Sequence, residues 1–282
     1  MEYKEVAKEI QNLCAEEAQS FSRMGAQLAT IIAQCSVAEL LSHLDYAGVI
    51  PESFRHDSTE EKLFAKYCDS LLARSLSELG FKAEVIEARG DAADVIAAGG
   101  GYTLVGDAKA FRLSRTAKNQ KDFKIESLNQ WRGSADYACL VAPLYQYPST
   151  QSQIYSQAIR YNVTLLSYTH LAFLIRNYKP ESRALIPLWK VGKTLSEAQG
   201  ASTYWDAVNK LIAGLTGTSL AMWDSAVKKA RVYLSEEANQ QVGYWLSEKE
   251  KIRHLDRDSA VKQLIKALKI DEKISTIRRI IS

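Results

Sequence analysis

The chain has no close cysteine pair: Cys14, Cys35, Cys68 and Cys139 lie far apart. Zinc knuckles and thioredoxin-like redox chemistry both need closely spaced Cys or His, so neither fits. Buried, reduced thiols in a cytosolic protein are the expectation. The histidines are as sparse (His43, His56, His170 and His254) and form no H-E-x-x-H pair. No uninterrupted apolar run approaches the ~20 residues that a bilayer span requires. Met1 is followed by Glu2, Lys4 and Glu5, the wrong start for a secretory signal peptide. A soluble intracellular protein with no membrane partner is therefore expected. Repeats, low-complexity tracts and long flexible linkers are missing as well. So is a strong net charge: 36 Lys plus Arg face 33 Asp plus Glu, a balance of +3. Global charge neither demands nor excludes a polyanionic partner, and the local pattern has to decide.

What is present is ordinary globular material: 282 residues, 46% apolar and 24% charged, enough chain to bury a substantial core in one large domain. Residues 1 to 47 read as two amphipathic helices, the second including Leu28, Ile31, Ile32, Cys35, Leu40 and Leu41, and Gly48 with Pro51 ends that unit. Ser58 with Glu61 three residues on has capping-box spacing, and Leu63, Phe64, Tyr67, Leu71 and Leu72 then form one apolar face, stopped at Gly80. The period then changes. Residues 81–88, 94–98 and 102–111 are short, β-prone and punctuated by glycine, and apolar runs follow at 137–142 and 163–168. Helices around 118–132 and 151–160 separate them, so the pattern predicts an α/β core built on a mixed sheet. Beyond Pro187 the strand signal disappears, and 203–213, 219–233, 236–251 and 258–281 read as helices. The last is basic (Lys262, Lys266, Lys269, Lys273, Arg278, Arg279). A solvated helical surface accounts for that charge; a dimer arm or a DNA-facing surface remains open. The organisation is thus one domain, with N-terminal helices over 1–50, an α/β core over 58–178 and a helical C-terminal region over 200–282.

The chemistry concentrates in residues 91 to 111, DAADVIAAGGGYTLVGDAKAF. A two-residue Gly100-Gly101 loop suits a tight hairpin and sets Gly99 opposite Tyr102. Counting outward, Asp94 then faces Asp107. Directly opposed residues have Cβ atoms roughly 4.5–5.5 Å apart, close enough for two carboxylates to share one cation. Asp107 and Lys109 are separated by Ala108 and project from the same strand face. Clustered carboxylates repel one another unless a hard cation neutralises them, and oxygen ligands favour Mg²⁺ or Mn²⁺. Such a site suits phosphodiester hydrolysis, with Lys109 orienting the nucleophile or offsetting transition-state charge. Glu87 and Glu61 are further candidate carboxylates from the neighbouring strand and helix. By spacing alone, ordinary strand-end charges account for this pattern equally well.

The next segment shifts the balance. FRLSRTAKNQKDFK, residues 111 to 124, carries Arg112, Arg115, Lys118, Lys121 and Lys124 at every third position against only Asp122. A three-residue step falls about 60° short of a full helical turn, so the charges fan around the segment rather than form one face. Asn119 and Lys121 are the residue types that read adenine and guanine edges. A basic segment directly after a carboxylate–lysine cluster points to nucleic acid.

Asp94 followed by Asp107-Ala108-Lys109 resembles the PD-(D/E)xK nuclease signature, with Ala93 where proline is usual. Longer segments are more specific. STEEKLFAK, EARGDAADVIA, GDAKAFRLSRTAKNQKDFK and YQYPSTQSQIY closely resemble the HindIII-like type II restriction endonucleases, most strongly from about residue 50 to 170 and weakly in both terminal regions. The resemblance implies the restriction-endonuclease-like core, a mixed β-sheet flanked by helices, over 58–178. It implies a homodimer that needs Mg²⁺, with Mn²⁺ as a substitute. Such an enzyme would cut double-stranded DNA at a palindrome, AAGCTT, leaving 5′ overhangs. A cognate DNA methyltransferase would protect the host in a prokaryotic cytoplasm. Carried over by position, Glu87, Asp94 and Asp107 form the acidic metal site, Lys109 is catalytic, and Asp122 and Lys124 lie close by. Arg112, Arg115, Lys118, Asn119 and Lys121 would contact DNA.

Two other readings share these residues. A repair nuclease or junction resolvase of the same fold would read DNA structure rather than sequence. A non-catalytic DNA-binding protein would bind without cleaving, although intact Asp94, Asp107 and Lys109 argue against it.

Overall fold

Ser58 caps a 20-residue helix, α4 (Thr59–Glu78), and this helix organises the fold around the acidic strands. Its hydroxyl accepts from the Glu61 amide at 3.2 Å. The reciprocal half of the capping box does not form, because the Glu61 carboxylate accepts instead from the Asp57 amide at 2.8 Å. The buried face of α4 includes Leu63, Phe64, Tyr67, Leu71, Leu72 and Leu76. In the computed structural model the described residues are 2–16, 19–86, 92–115, 120–271 and 273–275. The chain divides into two units, residues 1–238 and 239–282.

The first unit holds a five-stranded sheet in the order β1 (Lys82–Val85), β2 (Val95–Gly99), β3 (Tyr102–Ala108), β4 (Tyr137–Ala142) and β5 (Val163–Ser167). β1, β2 and β3 form an antiparallel meander, whereas β3, β4 and β5 run parallel. The expected mixed sheet is therefore present. Every residue of β5, and all of β4 after Tyr137, is buried, as parallel strands covered on both faces require. Gly100 and Gly101 sit at φ +61° and +85°, the left-handed pair that a two-residue hairpin turn demands. Gly106 permits a second close approach. A Cβ there would lie 2.8 Å from Leu72 Cδ2 and 3.4 Å from Cys139 Sγ, so its absence lets α4 pack down onto β3.

Around the sheet run α1 (Val6–Ala15), α2 (Phe21–Gln34), α3 (Val37–Tyr46), α5 (Gln120–Phe123), α6 (Ile125–Trp131), α7 (Gln153–Tyr161), α8 (Tyr168–Asn177), α9 (Ile186–Trp189) and α10 (Ala201–Thr216). Three details correct the sequence reading. The N-terminal region makes three helices rather than two, because Cys35 and Ser36 leave helical geometry and Ser36 caps a new start with Glu39. The helix expected over 118–132 is broken at Lys124, whose φ of +49° separates α5 from α6. The two helices expected over 219–233 and 236–251 are one, α11 (Leu220–Arg253), since Ser235 neither caps nor breaks it. Of the thiols, Cys35, Cys68 and Cys139 are buried and all four are free.

The second unit comprises the end of α11 and α12 (Arg257–Ala267), capped by Asp256. Its Lys262, Lys266, Lys269 and Lys273 are exposed, as are Trp245, Leu246, Ile252, Val261 and Leu264. No helix among the described residues is long and apolar enough to cross a membrane.

Candidate active site

The register across the hairpin is the one that alternation predicts. Gly99 pairs with Tyr102 and Val95 with Gly106, so the next step places Asp94 opposite Asp107. The main chain at Asp94 is held from the other side by the Ile86 amide, which donates to its carbonyl at 2.8 Å. β3 stays on the sheet past its last paired residue, because the Lys109 amide donates to the Val141 carbonyl at 2.7 Å. Alternation then puts Asp107 and Lys109 on one side, and their charged ends meet: Nζ lies 2.5 Å from Asp107 Oδ2.

These groups face a cavity of about 300 Å³ whose walls include Glu61, Lys66, Asp69, Asp94, Asp107 and Lys109. Asp107 is fully buried, and among the described residues neither of its oxygens accepts a hydrogen bond of good geometry. Burial raises its carboxyl above the usual range, the Lys109 charge opposes that rise, and Asp94 adds to it. Lys109 shows the reverse balance. Burial disfavours its ammonium, but Asp107, then Asp94 and Asp69, hold it protonated beyond the ordinary lysine range.

Four charged groups that line this cavity, Asp57, Lys62, Lys66 and Asp69, were not singled out from the sequence, and the last two interact with the acidic pair. Lys66 and Asp69 lie one turn apart on α4, and Lys66 Nζ stands 3.3 Å from Asp69 Oδ2 and 3.4 Å from Asp94 Oδ1. Asp69 is buried, and its carboxyl is raised well above the usual range by that burial and next by Asp94. The available signal was helical spacing: an i, i+3 Lys–Asp pair within an otherwise apolar stretch of α4. A larger cavity, about 470 Å³, lies between α2, α4 and β1. It is lined largely by small residues such as Gly25, Ala26 and Ala29, the acidic pair is elsewhere, and Lys66 borders both cavities.

The other candidate residues distribute differently. Glu61 lines the same cavity, with its carboxylate 3.3 Å from Arg112 Nη2. Arg112 is mostly buried and also donates to the Pro51 carbonyl at 3.1 Å. Arg115 pairs with Asp122 and lies over the Phe111 ring at 5.8 Å. Lys124 Nζ sits 6.0 Å from the centre of the Trp131 ring. Neither Asp122 nor Lys124 lines the cavity of the acidic pair. Glu87, Lys118, Asn119 and the side chain of Lys121 lie outside the described residues.

No three His, Cys, Asp or Glu side chains among the described residues form a group that could hold a metal ion. The donor chemistry nevertheless fits a hard divalent cation. Asp107 presents two buried carboxylate oxygens, one of them against the Lys109 ammonium, Asp94 faces it across the hairpin, and all the ligating atoms are oxygens.

A mixed five-stranded sheet flanked by helices, with an acidic pair and a lysine at the open end of its hairpin, has the architecture of the α/β restriction-endonuclease-like fold. The family model for the HindIII restriction endonuclease matches residues 4–281, reaching through both terminal regions. The type II restriction enzyme HindIII of Haemophilus influenzae is 35% identical over 276 residues, which cover 95% of this chain and 91% of that enzyme. The chain belongs to the HindIII restriction endonuclease family.

Proposed function

We propose that this protein is a type II restriction endonuclease that cuts both strands of duplex DNA at the palindrome AAGCTT, leaving 5′ overhangs. It would be the cytoplasmic, prokaryotic partner of a cognate DNA methyltransferase in a restriction-modification system. One observation carries the catalytic part of this reading: Asp94, Asp107 and Lys109 converge on one cavity in a chain of this family.

In this reading Asp94 and Asp107, with Glu87 as a third carboxylate, hold Mg²⁺, for which Mn²⁺ substitutes. A divalent ion there supplies Lewis-acid stabilisation of the charge that develops on the phosphoryl oxygens. Asp107 favours the ammonium form of Lys109, which would offset negative charge beside the scissile phosphate or orient the nucleophile. Burial and the facing Asp94 both make charge on Asp107 costly, and Lys109 only opposes that cost, so the site favours a further cation. Asp122 and Lys124 stand further along the same segment as supporting residues. Arg115, Lys118, Asn119 and Lys121 form the DNA-facing run, with Asn119 and Lys121 reading bases, and Arg112, paired with Glu61, anchors its start. The core over 58–178 carries the chemistry within one domain, and the helical region over 200–282 supplies surface outside it.

A palindrome has two-fold symmetry and each strand needs its own site, so the working unit is a homodimer. Digesting a sequenced plasmid with Mg²⁺ and sequencing the ends tests the whole reading. Unique ends at AAGCTT support it. Cleavage only at branched or damaged DNA would favour a repair nuclease or resolvase, and binding without cleavage would favour a non-catalytic module. Sedimentation showing a monomer both free and on a palindromic duplex would remove the dimer.

A further inference from the structure

Lys66 occupies an unusual position for a cation beside an acidic site. Its ammonium spans two carboxylates: Asp69 Oδ2 at 3.3 Å, on its own helix, and Asp94 Oδ1 at 3.4 Å, from the hairpin. Asp69 is almost wholly buried, whereas Asp94 is about one-third exposed and lines the cavity. The two contacts are therefore unequal. An exposed pair is weakened by water, and a buried carboxylate that loses a counter-charge in contact with it is severely penalised. Lys66 also borders the larger cavity between α2, α4 and β1, which Asp94 does not line, so its flexible stem has open space beside it.

We infer that Lys66 is a built-in counter-ion that competes with the divalent cation for Asp94, and that Asp69 is the partner that keeps the ammonium when Asp94 gives it up. In the ion-free protein the lysine neutralises Asp94 and limits repulsion between Asp94 and Asp107. When a divalent ion enters, Lys66 falls back on Asp69 alone. The pair on α4 thereby sets the ion concentration at which the site fills. This rests on the reading of Asp94 and Asp107 as the ion-holding pair.

The inference predicts opposite signs for two neighbouring substitutions, which a merely structural role does not. Lys66→Gln removes the competitor and should tighten divalent binding, by about fivefold for a partly exposed ion pair. Asp69→Asn removes the fallback partner, leaves the ammonium wholly on Asp94, and should weaken binding by a similar factor. The double variant Lys66→Gln/Asp69→Asn, which buries no unpaired charge, should resemble Lys66→Gln. Ion affinity is measured by calorimetric titration of the full-length, DNA-free protein with Mn²⁺ and with Ca²⁺, alongside a thermal melt to confirm folding. Should Lys66→Gln fail to fold, the double variant carries the comparison. Unchanged or weaker binding in Lys66→Gln or the double variant, or unchanged binding in Asp69→Asn, would overturn the inference. Asp107→Asn is the separating control. If it leaves ion binding intact, the assignment of the ion site itself fails, whereas its loss beside unaltered Lys66 and Asp69 variants defeats only the competition.

Discussion

Lowering the pH below neutrality should destabilise the protein through one buried histidine. His170 is fully buried between two indoles, with ring centres 4.2 Å from Trp223 and 5.4 Å from Trp205 and both pairs nearly parallel. The Ser167 amide donates to its Nδ1 at 3.0 Å, so Nδ1 is an acceptor and the ring hydrogen sits on Nε2, which donates to Asn209 Oδ1 at 3.0 Å. A second proton would have to enter at Nδ1, against an N–H already pointing there. Burial accordingly lowers the pKa from 6.5 to about 4. The folded state thus resists a proton that the unfolded chain accepts. Stability is complete above pH 6.5 and falls as the pH drops through the interval down to about 4. The loss between pH 8 and pH 5 from this group is about 2 kcal/mol, and the full gap corresponds to about 3 kcal/mol. For a chain of this size 2 kcal/mol is roughly 4–8 °C in Tm. Asp69 and Asp107, raised by burial, act in the opposite sense, so the comparison must isolate the histidine. His170→Gln keeps one donor and one acceptor and removes the titration. Urea unfolding of both proteins, followed by tryptophan fluorescence in EDTA, should show the gap between them shrinking by about 2 kcal/mol from pH 8 to pH 5. Parallel stability curves over that range would refute the reasoning.

Asp107→Asn should abolish cleavage while the fold survives, and metal-free DNA binding should persist or tighten, because a buried negative charge facing Asp94 is removed; full activity in a cleavage assay would remove Asp107 from the site. Lys109→Ala should lower the single-turnover rate by orders of magnitude with little change in DNA affinity, and a defect rescued by raising enzyme concentration would make Lys109 a phosphate contact instead. Asn119→Ala and Lys121→Ala should each lose about 1–3 kcal/mol of discrimination at adenine and guanine respectively; equal losses on AAGCTT and on single-base variants, measured in Ca²⁺, would leave them as backbone contacts. Arg112→Ala should lower Tm and leave the salt dependence of DNA binding nearly unchanged, since this guanidinium is already paired with Glu61; a slope reduced by about one unit would show that it meets phosphate after all.

The hairpin and its register were legible from sequence because two glycines at a turn and strict strand alternation leave little freedom. Once Gly100 and Gly101 are placed, the pairing of Val95 with Gly106 follows by counting. Helix boundaries were less legible where the deciding contact is distant. Ser235 sits inside α11 at a point where local composition suggested a break, and the helix simply continues. Lys124 is the converse: nothing in its residue type announces a left-handed backbone, yet its φ of +49° divides the helix. α8 escaped notice because its residues are buried on several sides, so the apolar periodicity of a half-exposed helix is blurred.

Charge was the hardest feature to read, because spacing cannot say whether a cation faces phosphate or carboxylate. The basic run after β3 illustrates this. Its first arginine, Arg112, is drawn inward to Glu61 and the Pro51 carbonyl. Two residues on, Ser114 is fastened through its amide and hydroxyl to Glu52, at 3.0 and 2.8 Å. Between β3 and those ties, the Phe111 amide donates to Gly48 and its carbonyl accepts from Ile50, at 2.9 and 3.2 Å. Residues 111–114 are thus bonded into the segment that leads to Ser58 and α4, the helix that carries Glu61, Lys66 and Asp69. On the proposed reading, the DNA-facing residues start from an anchor shared with the acidic cavity rather than from a free loop. Seating the run on the correct bases would then fix where the scissile phosphate lies relative to Asp107 and Lys109, which is how recognition can govern cleavage without a separate moving part.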